Sequence, residues 1–481
     1  MRRSVPAGRV GEPMTVHRRG LAAAVLAAAI AAAAAACSGS AGQGQRQAPD
    51  APSSSAATSS ASPPASAIQV PAGRSGTPLV VPAGEGGGAL STSRKLSVPA
   101  GWTARVWARV PGARMEAWTP EGNLLVSVPG DGKIMELRPD AAGTATVGTL
   151  LAGLTYPQGM AFARVDGRWV LYVAESDQID RYPWGTGRIS GARTVIAARL
   201  PDLNPRGDDV HRAKDVTVAA DGTVYFNVGS SSNASPDDRT MSPQRAVIMA
   251  VSPDGTGLRA AERGVRNGEG LAVAPDGTVW TAVNERDNIP YPSHGRHGTY
   301  SDAFGQVVQG YVNNHPPDEV VPVTVGRDLG WPYCDPDQDH SHPAGSLTNV
   351  PLVPDSATNP GGNRLRCAAL APIEVGLPAH TAPLGMTFLQ GSKIPPPWSG
   401  GAVIAGHGSW NRQPPRAPAV LWLAWNTSTG ELEPAVTLVS GFENSDHSFW
   451  GRPVDAVPGP DGALYVSDDA AGAIYRLAPA T

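Results

Sequence analysis

Apolar and polar residues alternate in short runs along this chain, and the runs come in pairs separated by a tight turn. The stretches MEAWTPEGNLLVSVPGDGKIMEL from Met115, MAFARVDGRWVLYVAESDQIDRY from Met160, VTVAADGTVYFNVGS from Val216, LAVAPDGTVWTAVNERD from Leu271 and VDAVPGPDGALYVSDDAAGAIYRL from Val454 share this form. Alternation with period two turns one face of a strand to a core. Asp-Gly or a relative between two such runs signals a hairpin, because both central turn positions accept positive φ. A sixth copy, with an expanded turn, runs from Met386. The turn glycines of the first four copies fall at 122, 167, 222 and 277, spacings of 45, 55 and 55 residues. Sheets repeating at that period, with no helical periodicity between them, predict an all-β fold, a six-bladed β-propeller. A β-sandwich with long loops leaves the repetition unexplained.

The first 95 residues read differently. Residues 1–36 carry a basic stretch, His17, Arg18 and Arg19, then the short apolar run GLAAAVLAAAIAAAAAA, and Cys37 follows directly. This is the pattern of a signal peptide with a lipoprotein-type cleavage site and Cys37 as lipid acceptor; an ordinary secretory signal is the alternative. Met14 is an alternative start. Residues 37–95 are rich in Ser, Ala, Pro and Gly, which predicts a flexible tether. The propeller domain is expected over 96–481. The expected location is the outer face of the cell membrane, touched only through the lipid anchor.

Net charge is −4 with both signs interspersed, so composition offers nothing for nucleic acid. Besides Cys37 there are Cys334 and Cys367. In an exported domain two cysteines most simply form a disulfide; two buried thiols are the alternative. The chain lacks a G-x-S-x-G elbow, H-E-x-x-H, a phosphate-binding G-x-x-x-x-G-K-[ST] loop and a dinucleotide-binding glycine fingerprint.

Four polar clusters sit beside the hairpins. RGDDVHRAKDVTV holds Asp208, Asp209, His211 and Asp215; GVRNGEGLAV holds Arg266, Asn267 and Glu269; AVNERDNI holds Asn284, Glu285, Arg286 and Asp287. The fourth is AGHGSWNRQPP, with His407, Trp410 and Arg412, helped by LPAHTAPLGM before it and FWGRPVD after it. A carboxylate near His211 would orient the imidazole as a general base. Arg266, Arg286, Arg412 and Arg452, in a chain of low charge, suggest a polyanionic ligand held by guanidiniums. The oxygens of Asn284 and Glu285 are of the hard type that Ca2+ takes.

The ordered motifs HRAKDVTVAADGTVYFNVGSSSN, RNGEGLAVAPDGTVWTAVNERD, GWPYCDP, AHTAPLGMTF, HGSWNR and WGRPVDAVPGPDGALYVSDD resemble the glucose/sorbosone dehydrogenase family. These are soluble sugar dehydrogenases that use pyrroloquinoline quinone (PQQ); the resemblance is to the L-sorbosone and pyranose dehydrogenase-like branch, over roughly residues 100–478. It implies a propeller with PQQ over the channel mouth and oxidation of an aldose or pyranose sugar, with hydride passing to the quinone and an external electron acceptor following. His211 matches the family's general base, and Arg266 and Asn267 its Arg-Asn pair. Asn284 and Glu285 match the loop donating Ca2+ oxygens. Arg412 and Arg452 correspond to cations on the PQQ carboxylates, His380 and Thr381 to the quinone lining. His407 and Trp410 lie in the loop expected to grip the cofactor, with Trp410 packed beside it.

Two features depart from the branch. The segment after NERD is long and carries His294 and His297, which reads as a substrate-facing lid, with metal binding the sharper alternative. The lysine that some relatives place on the quinone has no counterpart in AGHGSWNR. Two other functions are compatible with such a propeller: a metal-dependent sugar lactonase, and a non-catalytic carbohydrate- or partner-binding module.

Overall fold

The computed structural model describes residues 73–202 and 211–480. The signal segment, Cys37, Asp208 and Asp209 lie outside them. Six antiparallel sheets form the blades of a propeller. Blade 1 comprises Glu116–Trp118, Leu124–Val128, Lys133–Pro139 and Ala145–Ala152. Blade 2 begins at Met160–Val165, blade 3 at Val216–Val218 and blade 4 at Gly270–Val273. Blade 5 begins at Pro383–Phe388 and blade 6 at Pro453–Pro458. The turn glycines 122, 167, 222 and 277 all adopt positive φ, between 76° and 91°, as the hairpin pattern requires.

The ring is closed by strands from opposite ends of the chain. Trp102–Arg109 pairs antiparallel with Ala473–Pro479 as the fourth strand of blade 6. Residues up to 95 were expected to be tether, yet Arg74–Val80 is a strand. It pairs antiparallel with Lys95–Pro99 and parallel with Trp102–Arg109. The reason is local: Leu79 and Leu90 are buried in the core beneath blade 6, so this part of the linker carries enough apolar surface to order.

The core lies between blades. One apolar cluster joins blades 1 and 2 through Leu125 and Leu171, and another joins blades 2 and 3 through Tyr172 and Phe226. Ile248 and Val279 join blades 3 and 4, Trp280 and Leu423 blades 4 and 5. Trp422 and Val466 join blades 5 and 6, Tyr465 and Val126 blades 6 and 1. Each large buried side chain contributes roughly 1.5–3 kcal/mol, and no blade can bury its faces alone.

Buried aspartates stitch the inner strands. Asp215 accepts from Val216 N at 2.8 Å and from Leu271 N of blade 4 at 2.9 Å. Asp455 accepts from Ala456 N at 2.8 Å and from Glu116 N of blade 1 at 2.9 Å. Gly159 and Gly385 leave room for these carboxylates, since a Cβ at either would collide with the aspartate. Burial pushes Asp455 up to about 7 and Asp215 well above the usual carboxylate range. A central cavity of about 260 Å³ runs between the inner strands, lined by Glu116, Asp215 and Asp455 among others.

Candidate active site at the propeller mouth

The residues before each inner strand and after each second strand meet at one end of the channel. Arg114, just before blade 1, is the hub. It donates to Gln158 Oε1 at 3.3 Å, to Asp469 Oδ2 at 3.0 Å and to Glu269 Oε2 at 3.5 Å. Its partners therefore come from the loop ends of blades 2, 6 and 4. Glu269 also accepts from Gln158 and, at 2.9 Å, from Asn267 Nδ2. Asp469 accepts from His407 Nε2 at 3.0 Å, and Arg452 Nε donates to the His407 carbonyl at 2.9 Å.

His211 joins this set through a glycine. A Cβ on Gly229 would lie 2.6 Å from His211 Cβ and 2.7 Å from Asn267 Oδ1, so the imidazole segment and the Asn267 amide close on either side of it. His211 Nδ1 lies 2.8 Å from Ser230 Oγ and 3.2 Å from the Ser230 carbonyl. The carbonyl can only accept, and the Ser230 hydroxyl donates to the Ser232 carbonyl. Both contacts place the hydrogen on Nδ1 and the lone pair on Nε2. Burial, and then the nearby Arg266 charge, hold His211 well below the ordinary imidazole value, so it is neutral at pH 7. A carboxylate was expected beside this ring; Asp208 and Asp209 lie outside the described residues, Asp215 is committed to the inner strands, and among the described residues Ser230 orients the ring.

Arg266 is buried among main-chain acceptors. It donates to the Asn233 carbonyl at 3.2 Å and Asn233 Oδ1 at 3.0 Å, and to the carbonyls of Asn284 and Glu285 at 2.9 and 2.8 Å. Asp318 fixes the same loop, accepting from Glu285 N at 2.8 Å and from Ala382 N at 3.0 Å. Burial raises Glu285 to about 7 against the opposing Arg266 charge. His380, at positive φ, donates through Nε2 to the Val312 carbonyl, and its Nδ1 lies 3.9 Å from Asp287. Thr381 Oγ1 bonds to the Pro378 carbonyl at 2.6 Å.

The family model described as TrAA12-like matches residues 96–480. The chain belongs to the TrAA12-like family. It is a six-bladed propeller related to PQQ-dependent sugar dehydrogenases, as the sequence motifs imply. This TrAA12-like chain is 35% identical over 121 residues to the pyrroloquinoline quinone-dependent pyranose dehydrogenase of Coprinopsis cinerea, a match covering 21% of this chain and 15% of that protein. It is 27% identical over 284 residues to an uncharacterized protein of Borreliella burgdorferi, 59% of this chain and 63% of that protein. The chain thus spans less than two thirds of either relative. In fold it is similar to the holo form of the PQQ domain of Coprinopsis cinerea pyranose dehydrogenase, with a TM-score of 0.62, 22% identity, and 83% and 100% of the two chains covered. It is also similar to the calcium structure of the Trichoderma reesei family AA12 enzyme, with a TM-score of 0.64, 18% identity, and 80% and 97% coverage.

This TrAA12-like propeller does not bring every expected residue to its mouth. Arg412 donates to the carbonyls of Asn313 at 3.0 Å and Pro414 at 2.7 Å, and it lines a separate groove with Arg74, Arg416 and His447. Trp410 is 71% exposed. The loop is tied to the blade 4 insertion: Gln309 Nε2 donates to the Asn411 carbonyl at 2.9 Å, and Asn313 bonds twice to Gln413. Arg286 is paired with Asp355 instead of facing the mouth. Conversely, Arg114, Gln158 and Asp469 carry the mouth network without having been singled out. Their one sequence signal is position, immediately before an inner strand or after a second strand. Cys334 and Cys367 are joined by a disulfide within the blade 4 insertions.

Proposed function

We propose that this protein oxidises an aldose or pyranose-type sugar, using PQQ as hydride acceptor and His211 as general base. The observation that carries this is His211 itself: a neutral, half-buried imidazole, its Nδ1 hydrogen held by Ser230, beside Asn267 at the mouth where loop ends of all six blades converge. Family membership and the PQQ-dependent relatives support it.

The residues fit a tricarboxylate quinone. Asn267 Oδ1 is buried without a hydrogen-bond partner. Arg114 and Arg452 place guanidiniums at the mouth, and Arg452 spends only Nε and one terminal nitrogen on described side-chain hydrogen bonds. PQQ, when bound, supplies the two-electron acceptor. His211 Nε2 would take the proton of the sugar hydroxyl, a role that contributes roughly 10²–10⁴-fold. Arg452 and Asn267 would orient the cofactor, and His407, neutral because burial lowers it to about 4, gives its one N–H to Asp469 and so holds that carboxylate without adding charge.

A calcium ion fits less well at the expected position. The carbonyls of Asn284 and Glu285 already accept from Arg266, whose charge opposes a second cation, so no step is derived through Ca2+. The lactonase alternative needs carboxylates around the channel as metal ligands, but Asp215 and Asp455 are engaged by backbone N–H groups. Reconstitution with PQQ, with and without Ca2+, followed by dye reduction across a sugar panel, tests the function. Sugar-dependent reduction that requires PQQ is expected; lactone hydrolysis without PQQ would replace this reading. We also propose export and lipid attachment at Cys37, tested by labelling with a radioactive fatty acid; equal labelling of C37A would refute it.

A further inference from the structure

A second constellation lies in the blade 4 insertion. His315 follows the single helical turn Gln309–Val312. Its side chain is 5% exposed and stacks on Tyr311, with ring centroids 3.9 Å apart and planes 10° apart. Nδ1 lies 3.1 Å from the Tyr311 carbonyl, which can only accept, so Nδ1 carries a hydrogen, and in the neutral ring Nε2 bears the lone pair. Nε2 has no hydrogen-bond partner. It faces Asp337 Oδ1 and Asp339 Oδ2, each at 3.4 Å. That distance is long for a hydrogen bond. It suits two ligand atoms bound ~2.0–2.1 Å from one ion at the tetrahedral angle, which stand about 3.3 Å apart. Among the described residues this is the one group of three such donor atoms lying within 4.8 Å of one another.

The surroundings hold these atoms in place. Asp337, 1% exposed, accepts from Tyr311 Oη at 3.0 Å and from Asp339 N at 2.9 Å. Gln338 Nε2 donates to the Asn314 carbonyl at 2.7 Å and clasps the two segments together. His340 Nδ1 stands 3.3 Å from Asp337 Oδ2. His315 and Asp339 line a cavity of about 470 Å³ with Tyr291 and His297, which gives an ion an entry path and room for solvent as a further ligand.

We propose that His315 Nε2, Asp337 and Asp339 form a divalent transition-metal site of the Zn2+ class. An imidazole with two carboxylates suits Zn2+, whereas Ca2+ and Mg2+ take oxygen ligands. The ion would pin the turn after Gln309–Val312 to the turn Gln338–His340. Val312 also receives the hydrogen bond of His380, so the site braces the segment beside the mouth. Metal binding at His294 and His297 was the alternative to a lid in the sequence; His294 is exposed and paired with Asp302, and the donors that converge lie elsewhere in the insertion.

The test is calorimetric titration of Zn2+ into the metal-stripped, tag-free chain with excess Ca2+ present to occupy oxygen sites. One Zn2+ per chain is expected, with affinity lowered by about tenfold or more in H315Q and D339N. Asp339 is 65% exposed on its side chain, so D339N should fold even if H315Q does not. Co2+ in place of Zn2+ should give ligand-field absorption that D339N loses. Absence of stoichiometric binding, or equal affinity in wild type and D339N, would overturn the site whatever PQQ does.

Discussion

Gly229 is the point at which fold and chemistry meet most tightly, and Gly229→Ala perturbs both in a calculable way. The added Cβ would stand 2.6 Å from His211 Cβ, 2.7 Å from Asn267 Oδ1 and 3.0 Å from the His211 carbonyl. Ordinary contact begins at 3.4 Å, so the His211 segment must move by about 0.8 Å. Asn267 Oδ1 ends a side chain, but His211 Cβ and its carbonyl are fixed to the backbone and can give only if the segment moves. Overpacking of this kind costs about 1–3 kcal/mol. A general base displaced by nearly 1 Å loses about 10²-fold in rate. The assay is sugar-dependent dye reduction by PQQ-loaded protein, alongside urea denaturation. A fall of about a hundredfold in kcat/KM with a stability loss of 1–3 kcal/mol is expected. A variant with unchanged kcat/KM would show that His211 and Asn267 need not be held at this spacing, and the assignment of the mouth would fail with it.

Three further outcomes follow from the same structure. Asp455→Ala leaves the N–H groups of Glu116 and Ala456 without their acceptor at the seam between blades 6 and 1, and should destabilise by about 2–4 kcal/mol in urea denaturation. Replacing Cys334 and Cys367 together by Ala opens a loop with a sequence separation of 33 and should cost about 4 kcal/mol; no shift in midpoint would contradict this. Because His211 is held below the ordinary imidazole value by burial and Arg266, the deprotonated base persists into mild acid. The acid limb of kcat/KM should therefore lie below pH 6.5, and a limb at or above that value would argue against His211.

The blades were legible because each hairpin is local. An Asp-Gly turn between alternating runs such as Val216–Val228 is specified within about a dozen residues, and the six copies repeat it. Ring closure was not legible, since Trp102–Arg109 finds its partner some 370 residues away. The order of residues 74–80 was hidden for a similar reason: their burial depends on blade 6. At the mouth, position beside an inner strand placed His211, Arg266, Asn267, His407 and Arg452 at one end of the channel. What position did not reveal was commitment. Arg266 turns to main-chain carbonyls, and Arg412 and Trp410 follow the loop toward the long blade 4 insertion, whose packing no motif encodes. Arg114 bonds to residues of three other blades, yet it is a lone arginine before a strand in the sequence.

The most direct measurement is anaerobic single-turnover mixing of PQQ-loaded wild type and H211Q with a pyranose sugar, following quinone absorbance, with cofactor binding measured separately. Equal PQQ affinity in the two proteins, with rapid quinone reduction in the wild type and reduction slowed by at least about 10²-fold in H211Q, is the expected result. Wild type that fails to retain PQQ, or reduction at the same rate in both proteins, would contradict it.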